Sequence, residues 1–145
     1  MREGDAIRVW WCDPVGLLIQ RLTKLRGAKK VYVIDKDARR LAIAKSFRII
    51  PIHVSLHEDP AEYILAIEPH GLDRGIEASG FRSTNSAEHK AMRMDSLEGD
   101  SSDTVSVVIK STRKCWNVAL IGDVFCTTND LPIGMMIEKS VTVRN

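Results

Sequence analysis

Two features of this sequence could hold a charged ligand: the short segment Trp11-Cys12-Asp13-Pro14-Val15-Gly16, and Asp35, which lies 19 residues beyond its glycine. The segment follows a β-branched and aromatic run, residues 6–11 (AIRVWW), and precedes Leu18, Leu22 and Leu25, which recur with Val15 at helical spacing. It is therefore a strand-to-helix turn. Such a turn aims free backbone amides and the positive end of the helix dipole at whatever lies in front of it. A dinucleotide pyrophosphate is held in this way, normally across three glycines. Here only the third glycine position, Gly16, holds glycine. Asp35 ends the next apolar run, residues 31–34 (VYVI), at the place and spacing of a carboxylate that accepts hydrogen bonds from an adenosine ribose. By spacing alone it reads equally as the residue that starts the second helix.

The remaining reactive side chains form no competing constellation. His53 and His57 are four apart but straddle a strand end, and read as surface-loop histidines. His57-Glu58-Asp59 lacks the second histidine of a helical zinc motif, and His70 and His89 have no evident partners. The three cysteines, Cys12, Cys115 and Cys126, are odd in number and widely spaced, which suits neither a disulfide framework nor a zinc site. Cys12 sits near a helix N-terminus, where a thiol is acidified, although a buried inert thiol is the commoner outcome. Asp123 and Glu77 are the acids nearest the far half of a nucleotide crevice, and Glu77 is expected to pair with a base or face solvent. No catalytic residue and no metal ligand is expected.

The elements that must position these residues alternate between strand and helix. After the first strand, Asp13 and Pro14 suit the N-cap and first position of a helix that Gly27 ends. Residues 31–34 are a strand and 37–47 a second helix. Residues 49–54 (IIPIHV) are a third strand, which Pro51 places at a sheet edge because it cannot donate to a ladder. Asp59-Pro60 opens a third helix to about residue 67, and residues 75–79 (GIEAS) are a fourth strand. A short helix is expected near 89–97 and another over 103–113, followed by strands at 117–121 (NVALI) and 141–144 joined by a long loop. This order predicts an α/β fold: a Rossmann-type, doubly wound, parallel six-stranded sheet in the order 3-2-1-4-5-6, with residues 1–145 as one domain. The bulk numbers agree: 145 residues, 44% hydrophobic and 28% charged, are ordinary for one soluble domain. A net charge of +2, from 21 basic and 19 acidic side chains without an aromatic-interleaved basic stripe, argues against nucleic acid. The cluster Lys24, Arg26, Lys29, Lys30 reads as a solvated helix end. No apolar run approaches a membrane span or a signal peptide, so a cytoplasmic setting is expected.

Longer runs carry a resemblance. Residues Asp5-Ala6-Ile7-Arg8-Val9-Trp10, Cys12 and Pro14-Val15-Gly16-Leu17-Leu18, then Val33-Ile34-Asp35, Arg40-Leu41 and Ala44-Lys45, resemble the opening of the coenzyme domain of the zinc-dependent, medium-chain alcohol dehydrogenases. The resemblance continues through Asp59-Pro60, Asp73-Arg74-Gly75-Ile76-Glu77-Ala78, Gly80-Phe81-Arg82 and Asn117-Val118-Ala119-Leu120-Ile121-Gly122. It ends with Pro132-Ile133-Gly134-Met135-Met136, Glu138-Lys139 and Thr142-Val143-Arg144, and is nearest the formaldehyde dehydrogenase and dismutase branch.

The resemblance implies NAD as cofactor. Pro14, Val15 and Gly16 would face the pyrophosphate. Asp35 would hold the adenosine ribose and repel a 2′-phosphate, with Arg40 helping to fix the ribose. Ser79, Gly80, Ile121 and Gly122 would line the nicotinamide half of the crevice, with Ala78 and Ile121 reading equally as plain core. It also implies glycine where this chain has Trp11, Asp13, Arg48 and the pair Cys115-Trp116. Trp11 puts an indole in a tight turn, and Asp13 puts a carboxylate where a pyrophosphate approaches and can itself cap the helix. The family's zinc ligands lie in a separate substrate domain, so no zinc is expected in this chain. The function implied is an NAD-binding domain of a zinc-type alcohol or formaldehyde dehydrogenase-like oxidoreductase, with a degraded pyrophosphate loop and no competence alone. The alternatives are a non-catalytic scaffold or dimerisation module that no longer binds cofactor, with a homodimer through the sixth strand, and a zinc-free reductase.

Overall fold

The computed structural model describes residues 1–79, 100–122 and 128–145. Six strands form one parallel sheet: β1 (Ala6–Trp10), β2 (Lys30–Asp35), β3 (Ile50–His53), β4 (Leu72–Glu77), β6 (Thr112–Leu120) and β8 (Thr142–Arg144). They lie in the order β3-β2-β1-β4-β6-β8. Two-residue strands β5 (Asp100–Ser101) and β7 (Thr128–Asn129) pair only with each other. Without that pair the order is 3-2-1-4-5-6, the doubly wound α/β arrangement whose order reverses between β1 and β4. The central register sets Val9 against Val33 on one side and Ile76 on the other. β3 is the edge strand that Pro51 requires.

The helices are α1 (Pro14–Leu25), α2 (Ala38–Ser46), α3 (Pro60–Ile67), α4 (Asp103–Ser111) and α5 (Ile133–Lys139). Three begin in the way the sequence dictates. Asp13, Asp37 and Asp59 are N-caps whose carboxylates accept from amides of the first turn, and proline follows Asp13 and Asp59. The side of the sheet packed by α1 and α2 carries Ile7, Val9, Val31, Val33, Leu41 and Ala44. The opposite side, packed by α3, α4 and α5, carries Trp10, Tyr32, Ile34, Ile64, Val105, Val108 and Val118.

Three expectations are corrected. The link between the last two main strands is not only loop: it contains α5, whose Lys139 reaches back to the carbonyls of Ile109, Lys110 and Thr112 and so caps the C-terminus of α4. β4 starts at Leu72, directly after the left-handed Gly71, rather than at Gly75. α4 stops at Ser111 and β6 begins at once. Leu72 pairs with Thr112 but Arg74 pairs with Asn117, so residues 113–116 bulge out of the ladder around the left-handed Cys115. The apolar stripe of α1, whose spacing leaves its direction open, faces away from the sheet. Its buried residues are Gly16, Gln20 and Thr23, while Leu18, Leu22 and Leu25 are 62%, 56% and 75% exposed. The expected helix near 89–97 lies outside the described residues.

Three positions at which the resemblance implies glycine hold other residues in the left-handed region: Trp11 (φ 87°), Arg48 (φ 61°) and Cys115 (φ 63°). A side chain there costs on the order of 1–2 kcal/mol. Arg48 is an exposed residue just past the C-terminus of α2, so it tests the cost with least disturbance. Arg48→Gly is expected to raise the urea midpoint by an amount equivalent to about 0.5–1 kcal/mol, the glycine's extra unfolded-state entropy taking back part of the gain. A midpoint equal to or below the parent's contradicts this.

Candidate functional site

The loops at the carboxyl ends of β1, β2, β4 and β6 converge where the strand order reverses, the crevice in which open α/β sheets bind ligands. Backbone bonds beyond the ladders draw these loops together. The Trp11 amide donates to the Ile34 carbonyl at 2.9 Å and the Ala78 amide to the Trp10 carbonyl at 3.1 Å. The amides of Ile121 and Gly122 both donate to the Glu77 carbonyl, at 2.8 and 3.2 Å.

Pro14, Val15 and Gly16 form the first turn of α1 at this crevice. Gly16 is required by close approach: a Cβ there would lie 2.2 Å from the Trp11 carbonyl oxygen. Its amide is already engaged, donating to Asp13 Oδ1 at 2.7 Å. Asp13 thus occupies a donor that an incoming anion would use, and sets a negative charge at the positive end of the helix. Val15 is half exposed beside it. The Trp11 ring, partly buried against the cluster of Trp10 and Ile34, has Lys36 Nζ 5.4 Å from its centroid.

Asp35 sits at the carboxyl end of β2, as its spacing indicates, and the two readings of it separate: the cap of α2 is Asp37. The Asp35 carboxylate turns inward. Its Oδ2 accepts from the Cys12 amide and its Oδ1 from the Asp37 amide, each at 2.8 Å, and none of the side chain is exposed. Arg40, 41% exposed, places Nη1 3.9 Å from Asp35 Oδ2 and Nε 3.9 Å from Asp37 Oδ2. The carboxylate therefore ties the β1 turn to the start of α2. Each oxygen retains a lone pair for a ribose hydroxyl, but with the side chain unexposed a ribose could reach it only if the surrounding turn opened.

On the far side, Ser79 donates to Glu77 through its amide at 2.9 Å and through its hydroxyl. Glu77 is fully buried, so it does not face solvent, and by accepting from Ser79 it fixes the loop after β4. Ile121 is half exposed at the crevice, so the plain-core reading does not hold for it, whereas Ala78 is buried. Gly80 and Asp123 lie outside the described residues. Cys12 is buried, with Sγ 3.4 Å from the Arg40 carbonyl, and burial raises its pKa, so the helix N-terminus does not make it a nucleophile. His57 stacks on Tyr63 with ring centroids 3.7 Å apart. Among the described residues no group of three or more His, Cys, Asp or Glu is arranged to hold a metal ion, and no helix is long and apolar enough to cross a membrane.

Sequence reasoning missed Gln20 and Lys36. Gln20 is fully buried on the inner side of α1, where its amide group reaches the Trp11 carbonyl at 3.4 Å and Cys12 Sγ at 3.7 Å. The signal available was a polar residue on the face of α1 opposite its leucines. Among the described residues Lys36 is the cation set against the Trp11 ring, and only its position directly after Asp35 pointed to the loop.

Comparison with known proteins gives these parts a context. No family model matches the chain. The chain is 34% identical over its whole length to a zinc-type alcohol dehydrogenase-like protein of Schizosaccharomyces pombe, of which it covers 34%. It is 27% identical, again over its whole length, to an uncharacterised zinc-type alcohol dehydrogenase-like protein of Bacillus subtilis, of which it covers 39%. An alcohol dehydrogenase structure from a Thermus species superposes on all of it with a TM-score of 0.79 at 25% identity, over 37% of that protein. The chain spans little more than a third of each. In its sheet order, its crevice and these matches, it is similar to the zinc-type alcohol dehydrogenase-like proteins over that third of their length.

Proposed function

We propose that this chain is the NAD-binding domain of a zinc-type alcohol dehydrogenase-like oxidoreductase of the formaldehyde dehydrogenase type, with a degraded pyrophosphate loop and no turnover by itself. The observation that carries the reading is Asp35 at the carboxyl end of β2, one strand from the Trp11–Gly16 turn, in a sheet whose order reverses between them and β4. When bound, NAD supplies the hydride acceptor. The residues of this chain would hold its adenosine through Asp35 and Arg40 and border its nicotinamide half with Ser79, Gly80, Ile121 and Gly122. The pyrophosphate fits the loop poorly as built, because Asp13 fills the Gly16 amide. Zinc, substrate specificity and the proton acceptor would come from polypeptide outside these residues. A cytoplasmic setting and pairing of two copies along β8 belong to the same reading.

Titration calorimetry with NAD and NADP, carried to millimolar ligand, tests it. Weak saturable binding of NAD is expected, with NADP weaker still, because Asp35 and Asp37 would face a 2′-phosphate. Asp35→Asn is the control, since alanine would leave the amides of Cys12 and Asp37 without an acceptor and confound binding with stability. Equal affinity for NADP, or NAD binding indifferent to Asp35→Asn, would sink the ribose assignment. Metal analysis is expected to find far less than one zinc per chain, and a stoichiometric value would contradict the reading.

A further inference from the structure

Lys45, His53 and His57 take no part in the crevice described above, and they border one space. On the outer flank of the sheet, between α2 and the edge strand β3, the described residues leave an open cleft of about 320 Å³. Leu41, Pro51 and Leu56 give it apolar walls. Ala42 lies on the same face of α2 as Leu41 and Lys45, and its short side chain keeps the cleft open.

The polar groups on this cleft are of one kind. Lys45, His53 and His57 line it and no carboxylate does. Among the described residues the Lys45 ammonium has no ion pair or hydrogen bond, and the His57 ring meets the Tyr63 ring at 3.7 Å between centroids. His53 Nδ1 is buried without a hydrogen-bond partner. A buried ring nitrogen left unpaired is costly, and an acceptor placed in the cleft would remove that cost. Each imidazole offers at least one N–H donor in either protonation state, and the ammonium offers three. The nearby acids are engaged elsewhere or stand apart. Asp35, opposite His53 in the ladder, accepts from the amides of Cys12 and Asp37. Asp37 caps α2, and Asp59 is bound to Lys110 at 2.7 Å. Glu58 is exposed and does not line the cleft.

We propose that this cleft binds a small aromatic carboxylate, its ring against Leu41, Pro51 and Leu56 and its carboxylate among Lys45, His53 and His57. Apolar walls alone would take a neutral ring, and the donors alone would take a bare phosphate. Their combination favours a molecule that carries both an apolar body and an anionic head. The volume is near the lower end of the usual range for ligand pockets, about 300–1,000 Å³, and is too small for a dinucleotide. The site stands on this cleft and its donors and does not require bound NAD.

Nuclear magnetic resonance of the isotope-labelled whole chain, titrated at constant pH and ionic strength with benzoate, benzamide and inorganic phosphate, tests this. Benzoate is expected to bind saturably, shifting the ring nitrogens of His53 and His57 and the amides of α2 and β3. It is expected to bind about tenfold or more tightly than benzamide or phosphate. Ala42→Leu, at an exposed position where leucine keeps the helix, fills the cleft and is expected to abolish binding. Lys45→Gln, also at an exposed position, is expected to weaken benzoate about tenfold and to leave benzamide unchanged. NAD titration of both variants is expected to match the parent's, which separates failure of this cleft from failure of the cofactor reading. No saturation at millimolar benzoate, equal affinity for benzoate and benzamide, or tighter binding of phosphate overturns the proposal. So does benzoate binding that survives Ala42→Leu, since the ligand would then lie elsewhere.

Discussion

Trp11→Gly/Asp13→Gly is expected to bind NAD at least tenfold more tightly than the parent chain. Two effects add. A pyrophosphate charge about 4 Å from the Asp13 carboxylate is opposed by about 1 kcal/mol in water and about 4 kcal/mol at an effective dielectric of 20, and a half-buried loop lies between these limits. Removing the carboxylate also frees the Gly16 amide, which now donates to Asp13 Oδ1 at 2.7 Å. At Trp11, glycine adopts φ 87° without strain and withdraws the indole that Lys36 now covers. Asp13→Gly loses little helix capping, because glycine is itself a tolerable N-cap. Trp11→Gly does lose packing against the Trp10 and Ile34 cluster, so its stability is to be measured beside its affinity. Asp13→Asn separates the terms: it keeps the cap and removes the charge, so a gain from Asp13→Asn alone identifies repulsion as the main barrier. If the double variant folds and binds NAD no better than the parent, the loop is not what limits binding.

The second large effect is expected at Arg8, in the middle of β1. Its guanidinium is completely buried on the α4 side of the sheet. Nη1 donates to the Val107 carbonyl at 3.2 Å and to the Ser111 hydroxyl, while Nε and Nη2 have no partner among the described residues. Gly75 beside it leaves the room: a Cβ there would lie 2.4 Å from Val108 Cγ1 and 3.5 Å from Arg8 Nη2. Among the described residues no ion pair compensates the charge, and desolvation lowers its pKa to about 9. A cation whose folded pKa lies below its unfolded value destabilises the fold at every pH under the folded value. Between about 9 and the unfolded value the unfolded chain binds more protons, so this penalty shrinks as pH rises. Arg8→Met, with an apolar chain of similar reach, is therefore expected to stabilise the protein by about 1–4 kcal/mol at pH 7, with an advantage that narrows above pH 9. Tyr32, whose pKa is raised by burial and by its bond to Glu68, works in the opposite direction at alkaline pH, but equally in both proteins, so the difference between them isolates Arg8. Urea midpoints at pH 7, 8.5 and 10 measure this. A variant less stable than the parent at pH 7 would mean that the bonds to Val107 and Ser111 outweigh the desolvation of the charge.

Much of the architecture is written in local patterns. Pro51 excludes the third strand from the sheet interior because it lacks an amide to donate. Asp13-Pro14 and Asp59-Pro60 start helices because a carboxylate satisfies first-turn amides that proline does not need. The alternation of short apolar runs with such starts leaves few topologies open besides a doubly wound sheet. The resemblance adds where glycine belongs, and the structure holds Trp11, Arg48 and Cys115 in the backbone region that glycine favours.

What the sequence could not convey is which way side chains turn once elements meet. The leucines of α1 have helical spacing whether they face the sheet or solvent, and only docking shows that Gly16, Gln20 and Thr23 go inward. Spacing puts Asp35 at the end of β2, but its exposure depends on whether the β1 turn offers the Cys12 amide to it, a contact between residues 23 apart. The bulge at 113–116 and the capping of α4 by Lys139 likewise come from neighbours brought together by the sheet, not from any local preference. Periodicity fixes which residues share a face, because that follows from backbone geometry alone. Which face is buried, and which polar group finds its partner there, is settled by the other elements that compete to cover it.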